Sequence, residues 1–452
     1  MQIENTIFNL HGFGIVRHKV MKKKDFVILF FYSNCCVSPL NREFYVKKGF
    51  FLGFFLIIFV QIENVIYNMR DFIQRKMEAT IQQYLKIFPV VAVLGPRQCG
   101  KSTLVKNLSQ HWGASLFLDL QYDADLGKLD QPIFFFESNA DTIICLDEIQ
   151  LVPQLFSVLR SVVDQNRQNG KFVLLGSASR DLIQQTSESL AGRIGMVYLS
   201  PFTLNELDDL QDFDLKKFWL RGGFPDSYLA DSDYFSGVWR DNFIKTFVER
   251  DIPQLGFQIP ALQLRRFLMM CAHQQGQLMN YSKFGESLGL THPTIRRYVD
   301  LFEQTFILRT LPPYEVNVKK RLVKAPKVFV RDSGLLHQLL AISDFNALLG
   351  HPVFGTSWEG VVIENILVNY PDWTYSFYRT ATGDELDLVL EKGMQRIAIE
   401  CKASTMPNLT KGFYRALEVV QPQQTFVIIP APVSYQIAPT ITVCGLSEFL
   451  KS

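Results

Sequence analysis

The sequence is short of the features that would place it outside a cell or across a membrane. Its seven cysteines, Cys35, Cys36, Cys99, Cys145, Cys271, Cys401 and Cys444, are scattered and odd in number, and none forms a C-x-x-C pair. That argues against a disulfide framework or a cysteine zinc site and fits reduced thiols, so the expected location is cytoplasmic. The seven histidines are equally dispersed, none at ligand spacing from a cysteine or glutamate. Net charge is nearly absent, at +2 over 452 residues, so any basic surface for nucleic acid must be local. Long apolar runs are also missing. "FVILFFYSNCCV" (Phe26–Val37) and "GFFLGFFLIIFV" (Gly49–Val60) stop at about a dozen residues, where a spanning helix needs roughly 20. No small-residue cleavage site is evident after either run, so neither is expected to be a secretory signal.

What is present is ordinary for a soluble protein: 48% hydrophobic and 20% charged residues, in a chain long enough for two to four domains. Residues 1–68 stand apart, with apolar runs set among Lys-rich stretches such as "MKKKD". They read either as a membrane-associating anchor or as translated sequence upstream of a natural start at Met69. The second reading is preferred, because a clean globular pattern begins right after Met69. Membrane contact is expected only through this segment.

From Met69 to Leu85 the apolar spacing predicts an amphipathic helix. "PVVAVL" then reads as a buried strand. It runs into "GPRQCGKST": Gly95, Pro96, Arg97, Gln98, Cys99, Gly100, Lys101, Ser102 and Thr103. Strand, glycine-bounded loop and helix in that order form the context of a P-loop. Loop amides and the helix N-terminus aim partial positive charge at phosphates. Lys101 is expected to reach the β and γ phosphates of ATP, and Ser102 to offer its hydroxyl to Mg²⁺. Asp147 and Glu148 follow an apolar strand at Thr142–Leu146. Asp147 is the expected second Mg²⁺ holder, and Glu148 the base that polarises the attacking water. The strand "KFVLLGSAS" ends in polar residues, with Ser177 placed to sense the γ-phosphate. Further strands read at Ser115–Leu120 and Met196–Leu199, so the fold class is α/β with a parallel sheet wrapped by helices.

These blocks, with "LLGSAS", "LAGRI…LSPFTLNEL" and "RGGFP", resemble a bacterial and archaeal family of AAA-type P-loop ATPases. The resemblance covers Met69 to about Ser452. It implies an ATPase core (69–255), a winged helix-turn-helix (256–345) and a small restriction-endonuclease-like α/β domain (346–452), and it implies no known substrate. Arg193 of "LAGRI" would then stabilise transition-state charge on its own subunit's ATP or on a neighbour's, the latter requiring a homo-oligomer. The alternative is a structural arginine paired with a carboxylate. Gly222–Pro225 ("GGFP") matches a loop that related switch ATPases bring near the nucleotide, or is a plain turn.

Past Gly256 helices dominate. Ser282–Leu288 reads as a short helix closed by Gly289. Thr291 and Pro293 open the next, whose buried face is Ile295, Val299 and Phe302. "FILRTLPPYEVN" looks like the hairpin of a wing. Thr294, Arg296 and Arg297 stand where a DNA reader places its contacts. Lys319, Lys320, Arg321, Lys324 and Lys327 form a local basic stretch, expected either on a DNA backbone or on a solvated face of an internal lid.

The last region holds "TGDELDLVLEKGMQRIAIECKAS", a β-hairpin turning through Lys392 and Gly393. Strand parity puts Glu400 and Lys402 on one face and Ile399 and Cys401 on the other. An acid followed by acid-x-lysine on the neighbouring strand is the PD-(D/E)XK nuclease arrangement. Asp387 and Glu400 would hold Mg²⁺, Lys402 would orient the attacking water, and Glu359 matches the accessory helical acid. The rival expectation keeps this scaffold for binding only.

Overall fold

A computed structural model describes residues 72–177, 189–314 and 323–451, together with the backbone of short strands at 3–4, 7–8, 16–23 and 26–32. The chain divides into two compact units, Met1–Phe72 and Ile73–Ser452. In the first, Val16–Lys23 and Phe26–Tyr32 pair antiparallel with Met21 opposite Ile28, so the first apolar run begins as a strand. The second run, 49–60, lies outside the described residues.

The opening helix of the second unit is shorter than its apolar spacing predicts. Helix α1 spans Met77–Ile87, and residues 72–75 are not helical. The physical reason is Arg75, whose buried guanidinium is pulled into the domain behind the phosphate loop. Strand β1 (Val90–Gly95) follows, buried at every position, as an apolar strand covered on both faces must be. Helix α2 (Lys101–Ser109), β2 (Ser115–Asp119), β3 (Ile143–Asp147), α3 (Leu155–Gln165), β4 (Phe172–Ser177) and β5 (Ile194–Tyr198) complete the layer. The sheet order is β2–β3–β4–β1–β5, parallel throughout. Every strand therefore ends at the same edge, where open parallel sheets bind ligands. The register sets Ser177 opposite Gly95 and Asp147 opposite Asp119.

A helical region comes next: α4 (Asp233–Thr246), a π-turn at Phe247–Asp251, and α5 (Ala261–His273). After β6 (Gln277–Leu278), α6 runs from Tyr281 to Leu288 and stops at Gly289, whose φ of 67° suits a residue without Cβ. Helix α7 (His292–Gln304) starts at Thr291, which accepts from the Thr294 amide, with Pro293 in the first turn. Strands β7 (Leu308–Leu311) and β8 (Lys327–Val330) pair antiparallel with Thr310 opposite Val328, in the order β6–β8–β7.

This corrects the expected wing hairpin, because the partner of β7 is not within "FILRTLPPYEVN". Pro312 and Pro313 cannot donate to a ladder. The chain leaves the sheet there, and Pro313 bridges to Phe377 instead. Lys319, Lys320 and Arg321 of the basic stretch lie outside the described residues.

The last region packs helix α8 (Phe354–Asn369) against a mixed sheet. Its strands are β9 (Thr374–Arg379), β10 (Glu385–Lys392), β11 (Gln395–Cys401), β12 (Gln424–Ile429), β13 (Ser434–Ala438) and β14 (Ile441–Gly445), in the order β9–β10–β11–β12–β14–β13. One apolar core runs from Phe202 to Phe449 without a break at 255/256 or 345/346. Trp219 shows why: its ring stacks on Phe354 at 4.8 Å, and its indole N–H donates to Ser357 at 2.9 Å. Among the described residues no helix is long and apolar enough to cross a membrane.

Candidate functional site

The loop after β1 is forced by its backbone. Gly95 cannot carry a side chain, since an added Cβ would lie 2.1 Å from the Leu199 carbonyl. Gln98 and Gly100 take φ of 58° and 95°, which turns the chain back on itself and starts α2. Successive turns of this kind make an anion-accepting cup of amides. Lys101 is buried within it and donates to the Gly95 and Pro96 carbonyls at 3.2 and 2.8 Å. Pro96 is buried and Thr103 exposed on the first turn of α2. Cys99 points the other way, into the sheet core toward Leu199.

Across the cup, the Ser102 hydroxyl donates to Asp147 Oδ2 at 2.5 Å. Burial pushes the Asp147 carboxyl above its usual range, partly offset by the Ser102 bond. A hydroxyl and a carboxylate side by side are hard oxygen donors of the kind Mg²⁺ takes with phosphate and water, so these residues fit the ion. Glu148 adopts φ 55°, a left-handed conformation unusual for a glutamate and of the kind stored at functional sites. Its carboxylate accepts from Gln150 and faces Arg97 at 3.9 Å. Ser177 lies beside Gly95 through the strand register.

Two residues that sequence reasoning missed complete this site. Arg75 Nη1 donates to Cys99 O at 3.0 Å, Nη2 to Ser200 O at 2.6 Å, and Nε pairs with Glu206 at 3.1 Å. It braces the loop from behind. Its signal was hidden inside an expected helix face. Asp251, at the end of the π-turn, pairs with Arg97 and with Arg250. Arg97 thus stands between Glu148 and a residue of the helical region. Gly222–Pro225 also reaches the loop: a Cβ on Gly100 would lie 3.8 Å from Pro225 Cγ. The Gly223 amide donates to Asp332 at 2.8 Å.

Arg193 is not brought to this site. Its guanidinium forks onto Asp164 of α3 at 2.5 and 3.0 Å. Its carbonyl accepts from the Val90 amide, at the opposite end of β1 from the loop. Six strand residues at about 3.3 Å each separate the two, so the expectation that Arg193 serves its own subunit's ATP fails on distance.

A second cluster forms where β10, β11, α8 and β8 meet. Leu388 pairs with Ile399 in the hairpin. Asp387 Oδ2 accepts from the Cys401 amide at 2.8 Å, and Lys402 donates to Glu400 at 2.6 Å. Glu359 and Glu400 are both buried, and burial raises their carboxyls to about 7 and about 8. The structure thus brings Asp387, Glu400, Lys402 and Glu359 together, and it adds Lys327.

This corrects the placing of Lys327 on a basic surface. It is 2% exposed, and its ammonium lies 2.9 Å from Glu359, 2.8 Å from Glu385 and 3.6 Å from Asp387. The overlooked signal was its position at the head of the apolar strand "KVFV". Among the described residues no group of three or more His, Cys, Asp or Glu side chains is arranged to hold a metal ion. The five described cysteines are all free thiols.

A family model for an AAA domain matches residues 88–208. Two models described as domains of unknown function, DUF8612 and DUF4143, match 212–346 and 354–449. Uncharacterized proteins of Mycobacterium tuberculosis and Mycobacterium bovis are each 36% identical over 379 residues, which is 84% of this chain and 85% of theirs. An uncharacterized protein of Haemophilus influenzae is 23% identical over 296 residues, covering 59% of this chain and 72% of its own. Among solved structures, the Walker-type ATPase of Pyrococcus abyssi aligns at a TM-score of 0.41 and 14% identity, over 60% of this chain and 97% of that one. The chain belongs to the same family as the two mycobacterial proteins, with an AAA-type P-loop ATPase domain joined to two domains of unknown function.

Proposed function

We propose that the protein is a Mg²⁺-dependent ATPase used as a nucleotide switch that engages nucleic acid. The observation that carries the switch is Arg97, a residue of the phosphate loop that faces Glu148 on one side and Asp251 of the helical region on the other. Loop amides and Lys101 bind the phosphates. Ser102 and Asp147 are the residues that would hold Mg²⁺, which neutralises phosphate charge when bound. Glu148 takes the proton of the attacking water, and Ser177 senses the γ-phosphate beside Gly95. Arg193, remote from its own loop, serves only if a second copy presents it to a neighbour's ATP.

The contact with nucleic acid is assigned to α6 and α7, read as a winged helix-turn-helix. Arg296 and Arg297 are exposed on α7 with Thr294 beside them, and Lys324 is exposed just ahead of β8. The C-terminal region is read as a nuclease-like scaffold. The alternative function is a protein-interaction module in which the winged helix is a lid and the scaffold does not cleave. It is favoured on one point, the lysine seated among the expected nuclease acids.

The deciding experiment measures ATP turnover of wild type, Lys101→Ala and Glu148→Gln, each with and without DNA. Lys101→Ala is expected to lose ATP binding. Glu148→Gln is expected to bind ATP and hydrolyse it about 10²–10⁴ more slowly. Stimulation of wild type by DNA supports the nucleic-acid reading. Wild-type turnover in Glu148→Gln would remove its role as base, and indifference to DNA would transfer the proposal to the protein-interaction module.

A further inference from the structure

The acidic pocket of the C-terminal region has more order than a chance grouping of carboxylates. Four acids meet there: Glu359 from α8, Glu385 and Asp387 from β10, and Glu400 from β11. A lysine from a different part of the chain enters their midst. Lys327, at the head of β8, is held by three of the four, and its ammonium also lies 5.4 Å from the Phe377 ring centre. Burial opposes its charge, and the surrounding carboxylates outweigh burial and raise its pKa. One further observation points into the pocket. Glu400 is buried, its Oε1 accepts from Lys402, and its Oε2 has no hydrogen-bond partner.

The expected metal does not fit this arrangement. Asp387 Oδ2 accepts from the Cys401 amide, and Oδ1 faces the Lys327 ammonium at 3.6 Å. Lys402 is bonded to Glu400, and Arg379 lies 3.6 Å from Glu385. Four carboxylates thus face three cations, Lys327, Lys402 and Arg379. Mg²⁺ demands oxygens at about 2.0–2.1 Å in near-octahedral array. An ammonium already lying among those oxygens denies it the space and repels its charge.

We propose that Lys327 is the resident cation of this pocket: it occupies the place of a divalent metal and excludes Mg²⁺ and Mn²⁺ from Asp387 and Glu400. The lysine also fastens β8 to the C-terminal sheet, so the pocket is shared between two parts of the chain. The scaffold then works as a closed, metal-free binding unit. This inference does not depend on ATP hydrolysis, because its test uses nucleotide-free protein.

The experiment titrates Mn²⁺ into full-length protein and follows free Mn²⁺ by electron paramagnetic resonance. It compares wild type, Asp387→Asn, Lys327→Met and the double variant, with a thermal melt to verify folding. Wild type and Asp387→Asn are expected to bind alike. Lys327→Met is expected to gain one site at least about tenfold tighter than any shared by the other variants, and to lose it in the double variant. If Lys327→Met fails to melt cooperatively, Lys327→Gln takes its place and keeps a donor toward Glu359. An Asp387-dependent Mn²⁺ site in wild type overturns the proposal, whether or not any Lys327 variant folds. A folded Lys327 variant with no new site overturns it as well.

Discussion

Arg75 offers a sharp test of how the phosphate loop is held. Its side chain is 3% exposed and that of Glu206 is 4% exposed, so their contact is made out of water. Arg75→Met keeps length and apolar stem and removes four partners: the Cys99, Ser200 and Pro201 carbonyls and Glu206. Stranding one member of a buried ion pair costs about 3–5 kcal/mol. Glu206 is not fully stranded, because it still accepts from the Lys76 and Thr203 amides at 3.0 and 2.9 Å. The low end therefore applies, and about 3 kcal/mol of stability should be lost. Urea unfolding reads this as a lower midpoint at unchanged slope. A second effect follows from position. Cys99 lies in the loop between Gln98 and Gly100, so freeing its carbonyl loosens the cup, and ATP affinity should weaken about tenfold, or about 1.4 kcal/mol. Glu206→Gln keeps the bond to Cys99 and should lower stability with little change in ATP affinity. A chain beginning at Met69 retains Arg75 and should behave as the full chain does, whereas one beginning at Met77 should resemble Arg75→Met. If Arg75→Met unfolds within about 0.5 kcal/mol of wild type and binds ATP equally well, the brace does not exist.

Asp251→Asn should release Arg97 toward Glu148 and lower kcat for ATP about tenfold with KM little changed; equal kcat would refute the part given to Arg97. His337 is fully enclosed, with its ring nitrogens on the Leu220 carbonyl and the Ser357 hydroxyl, and burial lowers its pKa from 6.5 to about 3. The unfolded chain therefore binds the extra proton between those values, so stability is complete above about pH 6.5 and is lost as pH falls toward 3, by up to about 1.4 kcal/mol per pH unit. Chemical denaturation from pH 7 to 4 should show a shallower fall in His337→Gln than in wild type, and parallel curves would refute the assignment.

The elements legible in the sequence were those fixed by short-range chemistry. Gly95, Gly100, Lys101 and Ser102 lie within one loop, and Asp147 with Glu148 at one strand end, so local spacing revealed them. The parity of Glu400 and Lys402 was equally local, and their contact followed from it. What escaped depends on partners far away in sequence. Arg75 reads as one more polar position on an amphipathic helix until Glu206 and Ser200 are seen around it. Lys327 reads as part of a basic run, although its acids come from 359, 385 and 387. The hairpin expected within "FILRTLPPYEVN" failed for a local reason that was visible: two adjacent prolines cannot sit inside a ladder, so the partner of β7 comes from further along the chain. Arg193 could be placed only by knowing which end of β5 it occupies. In a parallel strand that end decides between the ligand edge and its opposite.

The same distinction bears on how a switch would work here. The core from Phe202 to Phe449 is continuous, but close packing transmits a signal only if some element has two arrangements. Trp219, wedged among Phe354 and Trp358, has no second place to go. Ionic contacts at the loop are different. The Arg97 side chain is 16% exposed and sits between two carboxylates, Glu148 and Asp251. A phosphate arriving in the cup is a third acceptor for the same planar guanidinium, of the kind arginine binds in preference to a single carboxylate. Moving Arg97 onto it would free Glu148 for water and release Asp251 at the end of the π-turn in one exchange. On that reasoning the bistable part of the proposed switch is one arginine and its choice of partners, and the large shared core is the rigid body that its choice would turn.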